Sequence, residues 1–337
     1  MHRRGFLALG AALLAPACGQ QAKPKVQRVV WMGGNDDYKR RVPVAFAERG
    51  FRIGETLSLD FSGVAPGYAQ TIDSYDNSKL REIVASRPDV MVVHGTPEEA
   101  LKLTRDIPVV FYDYFDDPQA RGYVQSLRRP GANATGASIP PGDLMMKQWQ
   151  LLKMIRPRLR IGARIETVER FAERQARAAR NPWLRGYFER LEQYQRDAGV
   201  ALGIDIRNIQ IPRDASAAAI ALAVKRAGAG ALGVVPSPIA SWNEFVRKTR
   251  IPTFLTNAGF EPVQAGRVML GWDFNTRECE TQAVAIVARI LRGESPATIP
   301  VYVIREYRFA VNTRLAREAG VEIPASVLIQ ADKLYDS

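Results

Sequence analysis

Cysteine and histidine are nearly absent from this chain. Of its two cysteines only Cys279 lies in the body of the sequence, and of its two histidines only His94 does. Without Cys18 no intramolecular disulfide can form, and a cysteine-based metal cluster is excluded. A two-histidine metal site is excluded as well, and any Ser-His-Asp arrangement would have to be built on His94. Neither a metal nor a cofactor is therefore expected. Long apolar runs are also missing: Phe6 to Leu14 is too short, and too abruptly followed by Gln20-Gln21, to span a membrane.

That short run belongs to a different pattern. Arg3-Arg4, the apolar stretch and the small-residue site Ala15-Pro16-Ala17 form an export signal, so residues 1–25 read as signal and linker. Arg3-Arg4-Gly5-Phe6-Leu7 resembles a twin-arginine signal, although ordinary secretory signals can start the same way. Leu14-Ala15-Pro16-Ala17-Cys18 resembles a bacterial lipoprotein box. Lipidation of Cys18 and simple cleavage both stay open, and the expected location is the periplasm, soluble or anchored through Cys18.

An apolar fraction of 46% is that of a globular chain, and 337 residues suffice for two lobes. The net charge of +12 drops by two when Arg3 and Arg4 leave with the signal. Such a charge permits contact with nucleic acid or anionic membrane but does not specify it. Much of it lies in the arginine-rich segment 158–185, where Arg164, Arg170, Arg174, Arg177 and Arg180 alternate with Glu166, Glu169 and Glu173, the pattern of a solvated helical face. No nucleic-acid partner is expected.

The stretch from Val90 to Asp117 reads as buried strand, turn, helix entered through Thr96-Pro97-Glu98-Glu99, second buried strand (Val109 to Tyr112) and an acidic-aromatic turn before a helix at Pro118. Before it come a strand from Val26 to Met32, a helix from Val42 to Arg49, a strand from Thr56 to Phe61 and a helix from Ser78 to Ser86. Pro/Gly breaks between Arg129 and Gly142 mark a passage to a second lobe, in which the alternation restarts. Trp183, Leu184, Tyr187, Phe188, Leu191 and Tyr194 form a stripe at helical spacing and read as packing. Gly228-Ala229-Gly230-Ala231-Leu232-Gly233 matches G-x-G-x-x-G, yet it follows a helix and leads into a strand, the reverse of a dinucleotide site. Further passages at about residues 268–269 and at the break from Pro296 to Pro300 bring the total to three. The expected fold class is α/β, with two Rossmann-like lobes and a three-crossover hinge: 26–137 plus 269–298 in one lobe, 138–268 plus 299–335 in the other.

Four segments carry a resemblance to a known family. They are Pro88 to Pro97, Ile107 to Phe111, Ser126 to Gly136 with its Arg-Pro-Gly-x-Asn-x-Thr-Gly core, and Val321 to Asp332. Together they resemble the substrate-binding proteins of bacterial ABC transporters, in the branch related to binders of tryptophan and other aromatic amino acids, over Arg28 to Asp332. The resemblance implies the type I periplasmic-binding fold, a ligand held between the lobes, an ABC permease complex as membrane partner, and no catalysis. Two turns depart from the family: Glu166-Thr167 stands where Asn-Pro is usual, and Asp113 to Asp117 where Gly-Asp-Pro is usual.

Ligands of open parallel sheets gather at the carboxyl ends of strands. The candidate ligand-binding residues are therefore Gly34 and Asn35 after the first strand; His94, Gly95 and Thr96; Tyr112, Asp113, Tyr114 and Asp116; and, from the second lobe, Glu166, Thr167, Ser237, Asn257, Trp272 and Asp273. Thr96 fits an N-cap before Pro97, and His94 either reaches a ligand or simply packs. Asp117, before Pro118, fits a cap, which leaves Asp113 and Asp116 freer. An acidic turn in a basic protein suits the ammonium of a zwitterionic or aromatic amino acid. The expected molecule is a monomeric solute-binding protein. The alternatives are a ligand-sensing periplasmic module for a receptor and a two-lobed hydrolase or racemase, the latter short of a second thiol beside Cys279.

Overall fold

The computed structural model describes residues 26–33, 36–61, 77–95, 97–180, 182–234, 239–256 and 260–336. The chain opens with β1 (Gln27–Met32), α1 (Asp36–Ala47), β2 (Leu57–Asp60), α2 (Asn77–Ala85), β3 (Val90–His94), α3 (Glu98–Leu103), β4 (Val109–Tyr114) and β5 (Ala134–Ser138). A second alternating series follows: α4 (Pro141–Ile155), β6 (Ile161–Thr167), α5 (Val168–Arg180), α6 (Pro182–Leu202), β7 (Asp205–Ile211), α7 (Ala217–Ala227), β8 (Leu232–Val234), α8 (Trp242–Lys248), β9 (Thr253–Leu255), α9 (Glu261–Gln264) and β10 (Leu270–Phe274). Then come α10 (Thr276–Leu291), β11 (Tyr302–Val303), β12 (Tyr307–Asn312), α11 (Thr313–Glu318), α12 (Ala325–Leu328) and β13 (Lys333–Tyr335).

The described strands form two sheets, ordered β11-β5-β4-β3-β1-β2 and β13-β12-β10-β9-β8-β6-β7. All neighbours are parallel except β10 and β12. Every residue of β3 is buried, as a parallel strand covered on both faces requires. On one face of the first sheet Val30, Met91 and Val93 pack with Leu80, Ile83 and Leu101 from α2 and α3. On the other, Val29, Trp31, Val92 and Val110 meet Phe46 of α1 and Val284 and Val287 of α10.

The most specific of the family-like segments ties elements together. Gly131 takes φ +79 and its N–H donates to the carbonyl of Ala297. Asn133 donates to the carbonyls of Thr104 and Ile107, and Thr135 donates to that of Ile299. Gly136 lies so close to β4 that a Cβ there would sit 2.0 Å from the Phe111 carbonyl oxygen. At the carboxyl end of the chain, Asp332 exchanges hydrogen bonds with the Phe309 backbone and holds the last strand to β12.

Three crossings join the sheets, and each runs at their carboxyl edges. The chain leaves β5 after Ser138 and enters α4, whose far end leads to the amino end of β6. It leaves β10 after Phe274 and enters α10, which packs on β4 and β5. It leaves β11 after Val303 and enters β12 beside the carboxyl end of β10, where Tyr307 opposes Phe274. The carboxyl edges of both sheets therefore face one another.

Several expectations need correction. The return segment 269–298 does not belong to one lobe: β10 is central to the second sheet, and only α10 packs on the first. Residues 299–303 lead into β11 of the first sheet, so the strand expected from Val301 to Val311 is two strands in two sheets. Hydrophobic alternation continues smoothly through residues 301–311, so local pattern cannot show where the strand changes sheet. α1 begins at Asp36 and contains Pro43. Glu166 and Thr167 are the last residues of β6, not a turn, and the arginine-rich segment after them is helix α5. After Pro118 the chain makes hydrogen-bonded turns ended by Gly122 at φ +74, not a helix, although Asp117 does cap them by accepting from the N–H groups of Gln119 and Ala120. The G-x-G-x-x-G segment is, as read, a helix end: Gly228 is the left-handed cap of α7.

Candidate functional site

The turns that follow the parallel strands line the carboxyl edges. Among the predicted site residues, Gly34, Asn35, Thr96, Ser237 and Asn257 lie outside the described residues, as does Cys18. Asp113 and Tyr114 end β4, and Asp273 stands one residue before the end of β10, so all three sit where the strands of the two sheets reach the inter-lobe edge. Their side chains lie outside the description.

His94 and Tyr112 prove to be core. His94 is 4% exposed and Tyr112 is fully buried. Their rings meet edge-on at 5.0 Å, Tyr38 from α1 packs on both, and Trp31 Nε1 donates to the Tyr112 hydroxyl at 2.9 Å. These rings form the floor beneath the carboxyl edge of the first sheet. Gly95 makes the turn above it with φ +77, its N–H donating to the Tyr112 carbonyl. Thr96, expected as an N-cap, lies outside the described residues; Pro97 precedes α3 without a side-chain capping bond, and α3 is only six residues long. Glu98 is taken up by Lys102, Arg121 and Tyr123.

Asp116 is not a free carboxylate. It is 1% exposed, and both of its oxygens accept from Arg190 of α6, with Arg121 Nε 3.8 Å away. Its main-chain carbonyl accepts from Ser138 Oγ at the first crossing. The pair joins the post-β4 turn of one lobe to a helix of the other. Beside it, Leu184, Tyr187 and Phe188 of α6 pack on Phe111, Val124 and Val301 of the first lobe. The aromatic stripe is thus packing, and the contact it makes is between lobes. Arg190 lies on that same face, three residues after Tyr187; the helical spacing was legible, but its partner, 74 residues away, was not.

From the second lobe, Glu166 is buried and accepts from Arg174 of α5 at 2.8 Å. Arg174 also reaches Glu192 at 3.3 Å and lies over the rings of Phe171 and Phe188. Arg164, two residues earlier on the same face of β6, has its guanidinium pulled below the ordinary value by burial, with the charge of Glu166 opposing the shift. Thr167 Oγ1 accepts from the N–H of Arg170 and starts α5. Gln148 of α4 accepts from Thr256 Oγ1 at 2.8 Å, and it approaches Gly233 so closely that a Cβ there would stand 2.5 Å from its amide nitrogen. Arg164, Arg174, Arg190 and Gln148 were not among the predicted site residues, and nothing within a few residues of them in the sequence names their partners.

Trp272 packs at tilted angles on Phe254 and Phe309 and edge-on against Tyr307, with Lys147 of α4 5.5 Å from the centre of the Tyr307 ring. Its buried Nε1 has no hydrogen-bond partner among the described residues. The imidazole and the thiol of the body of the chain are internal: His94 packs against Tyr38 and Tyr112, and Cys279 of α10 is fully buried in the core. No described helix is long and apolar enough to cross a membrane.

Residues 199–335 match the family model described as ABC transporter substrate binding protein. A curated tyrosine-binding protein of Clostridioides difficile is 28% identical over 139 residues, which are 40% of this chain and 37% of that relative. Among solved structures, the ligand-free, open form of a substrate binding protein with adhesive properties from Clostridium difficile superposes with a TM-score of 0.66 at 18% identity, covering 93% of this chain and all of that one. An ABC domain in complex with L-Trp from Streptococcus pneumonia gives 0.60 at 20% identity over 92% of this chain and 99% of that one. The curated match concerns well under half of either protein, whereas the shared fold extends over nearly all of the described chain. The protein has the two-lobed type I periplasmic-binding fold of ABC substrate-binding proteins, and its carboxyl-terminal 199–335 match that family's model.

Proposed function

We propose that this protein is an exported solute-binding protein that captures a small ligand between its lobes and delivers it to an ABC permease. The observation that carries this reading is the opposed pair of carboxyl edges joined by three crossings. Two rigid lobes so joined can close on a ligand, and the binding energy then selects the closed form without any bond being made. Burial of His94 and Cys279 counts against the alternative of a hydrolase or racemase built on the imidazole or the thiol.

The ligand we favour is an amino acid with an aromatic side chain. We assign the recognition of its ammonium to Asp113 and Asp273, which stand at the carboxyl ends of strands from opposite sheets, with Tyr114 next to Asp113 in the sequence. Support comes from the relatives, one named for tyrosine and one solved with L-Trp, and from the internal pairing of Asp116 and Glu166, which leaves Asp113 and Asp273 for the task. Export through residues 1–25 places the protein in the periplasm, with or without a lipid on Cys18.

The test is a thermal-shift and calorimetric screen of the purified protein against amino acids, polyamines, nucleosides and sugars. A ligand at a hundred times its dissociation constant stabilises by about 2.7 kcal/mol, a shift of several degrees. Tyrosine or tryptophan should give that shift, and Asp113→Ala or Asp273→Ala should remove it. A folded protein that responds to sugars alone, or to no member of the panel, would overturn the amino-acid reading.

A further inference from the structure

A second cavity lies at the far end of the second lobe. It is lined by Arg156 to Ile161, which lead into the amino end of β6, by Gly228 and Gly230 before β8, and by Arg250 and Ile251 before β9. It therefore opens at the amino ends of three neighbouring parallel strands, opposite the inter-lobe edge. Its volume, about 630 Å³, is that of a small-molecule site.

Four arginines, Arg156, Arg158, Arg160 and Arg250, are among the residues that line it, and no acidic residue is. Elsewhere the described arginines are commonly matched to acids: Arg28 to Asp60, Arg41 to Glu280, Arg174 to Glu166, Arg190 to Asp116, Arg289 to Glu294. None of these four forms an ion pair among the described residues, and Arg156 donates instead to the main-chain carbonyl of Arg250. Its apolar lining is made by Ile155, Pro157, Leu159, Ile161 and Ile251. Two glycines keep it open: a Cβ on Gly230 would come 3.0 Å from Leu159 Cδ1, and one on Gly228 would come 3.3 Å from Ile161 Cδ1.

Like charges gathered on a concave surface repel one another, and an anion relieves that repulsion. Guanidinium forks match the oxygens of a phosphoryl group, while an apolar lining rewards a hydrocarbon substituent. We infer that this cavity is a second binding site, independent of the inter-lobe cleft, for a small phosphate monoester bearing an aliphatic or aromatic group.

Titration calorimetry of the purified protein with hexyl phosphate, inorganic phosphate and hexanol tests this. Hexyl phosphate should bind at least about tenfold more tightly than inorganic phosphate, the worth of two buried methylenes, and hexanol should not bind measurably. Arg158→Ala and Arg160→Ala, both on exposed side chains, should each weaken hexyl phosphate about tenfold while leaving the unfolding midpoint and any cleft ligand's affinity unchanged. Gly230→Leu keeps all four arginines but crowds the apolar lining, so it should abolish the advantage of hexyl over inorganic phosphate. Absence of saturable binding, equal affinity in wild type and the arginine variants, or co-sedimentation with phosphatidylglycerol vesicles without binding of free hexyl phosphate would each overturn the inference.

Discussion

Tyr194 of α6 shows how a single side chain near the first crossing reports on its surroundings. Burial, followed by the charges of Asp116 and Asp117, pushes its phenol up to about 12. Tyr302 is likewise raised to about 12, first by its hydrogen bond to Glu278 and then by burial. Both groups favour the neutral phenol in the folded state. Their contribution is complete below the ordinary value of about 10 and is lost as pH climbs towards 12. The midpoint of thermal unfolding should therefore fall between pH 10 and 12, in step with tyrosinate absorbance, and Tyr194→Phe should remove one part of that fall. Tyrosines that all titrate together near pH 10 would contradict it. At this scale the sequence was a poor guide to the site. Asp116 looked as available as Asp113, because nothing within a few residues of it announces Arg190.

Among the elements, β5 has the weakest local claim to be a strand. Ala134-Thr135-Gly136-Ala137-Ser138 contains little that favours extended chain, yet all five residues are buried between β4 and β11. Tertiary pairing overrides propensity there, and the glycine is needed because β4 lies against it. Gly136→Ala would place a methyl group 2.0 Å from a backbone oxygen that has no rotamer with which to escape. A loss of about 3 kcal/mol in urea unfolding is expected, at the upper end for overpacking; an unchanged midpoint would show that β4 and β5 can separate at little cost. α5 makes the opposite case. Its exposed Arg170, Glu173 and Arg180 fit the solvated face read from the charge pattern, but Arg174 turns inward to Glu166 and packs over Phe171 and Phe188. Alternating charge describes a helix that meets water; it does not say which of its charges will be turned towards the protein.

Across the whole molecule, the contact of α6 with the first lobe joins what the three crossings already connect. Leu184, Tyr187 and Phe188 supply an apolar patch, and Asp116 with Arg190 supplies a buried ion pair beside Ser138. Removing one partner of such a pair leaves an uncompensated charge, so Arg190→Ala should lower unfolding stability by about 3 kcal/mol. Arg190→Lys should recover only part of that, because an ammonium cannot engage both carboxylate oxygens as a guanidinium does. Equilibrium urea unfolding checks both, and equal stability of the three proteins would show that the pair adds nothing to the joint.

What the sequence determined by itself was the alternation. Runs such as Val90–Val93 and Val109–Tyr112, with helices between them, require parallel sheets covered on both faces, and the Pro/Gly breaks imply passage between lobes. It also settled, by scarcity, that His94 and Cys279 were the only routes to histidine or thiol chemistry in the body of the chain. Only the tertiary structure decided that both are interior, that β10 and β12 belong to the second sheet while β11 belongs to the first, and that Asp116 is held by Arg190 while Arg156, Arg158, Arg160 and Arg250 line one cavity and form no ion pair among the described residues. The physical reason is one of range. Periodicity and backbone preference act over a few residues and are written locally, whereas the partner of a charge and the sheet that receives a strand are chosen by segments tens to hundreds of residues apart.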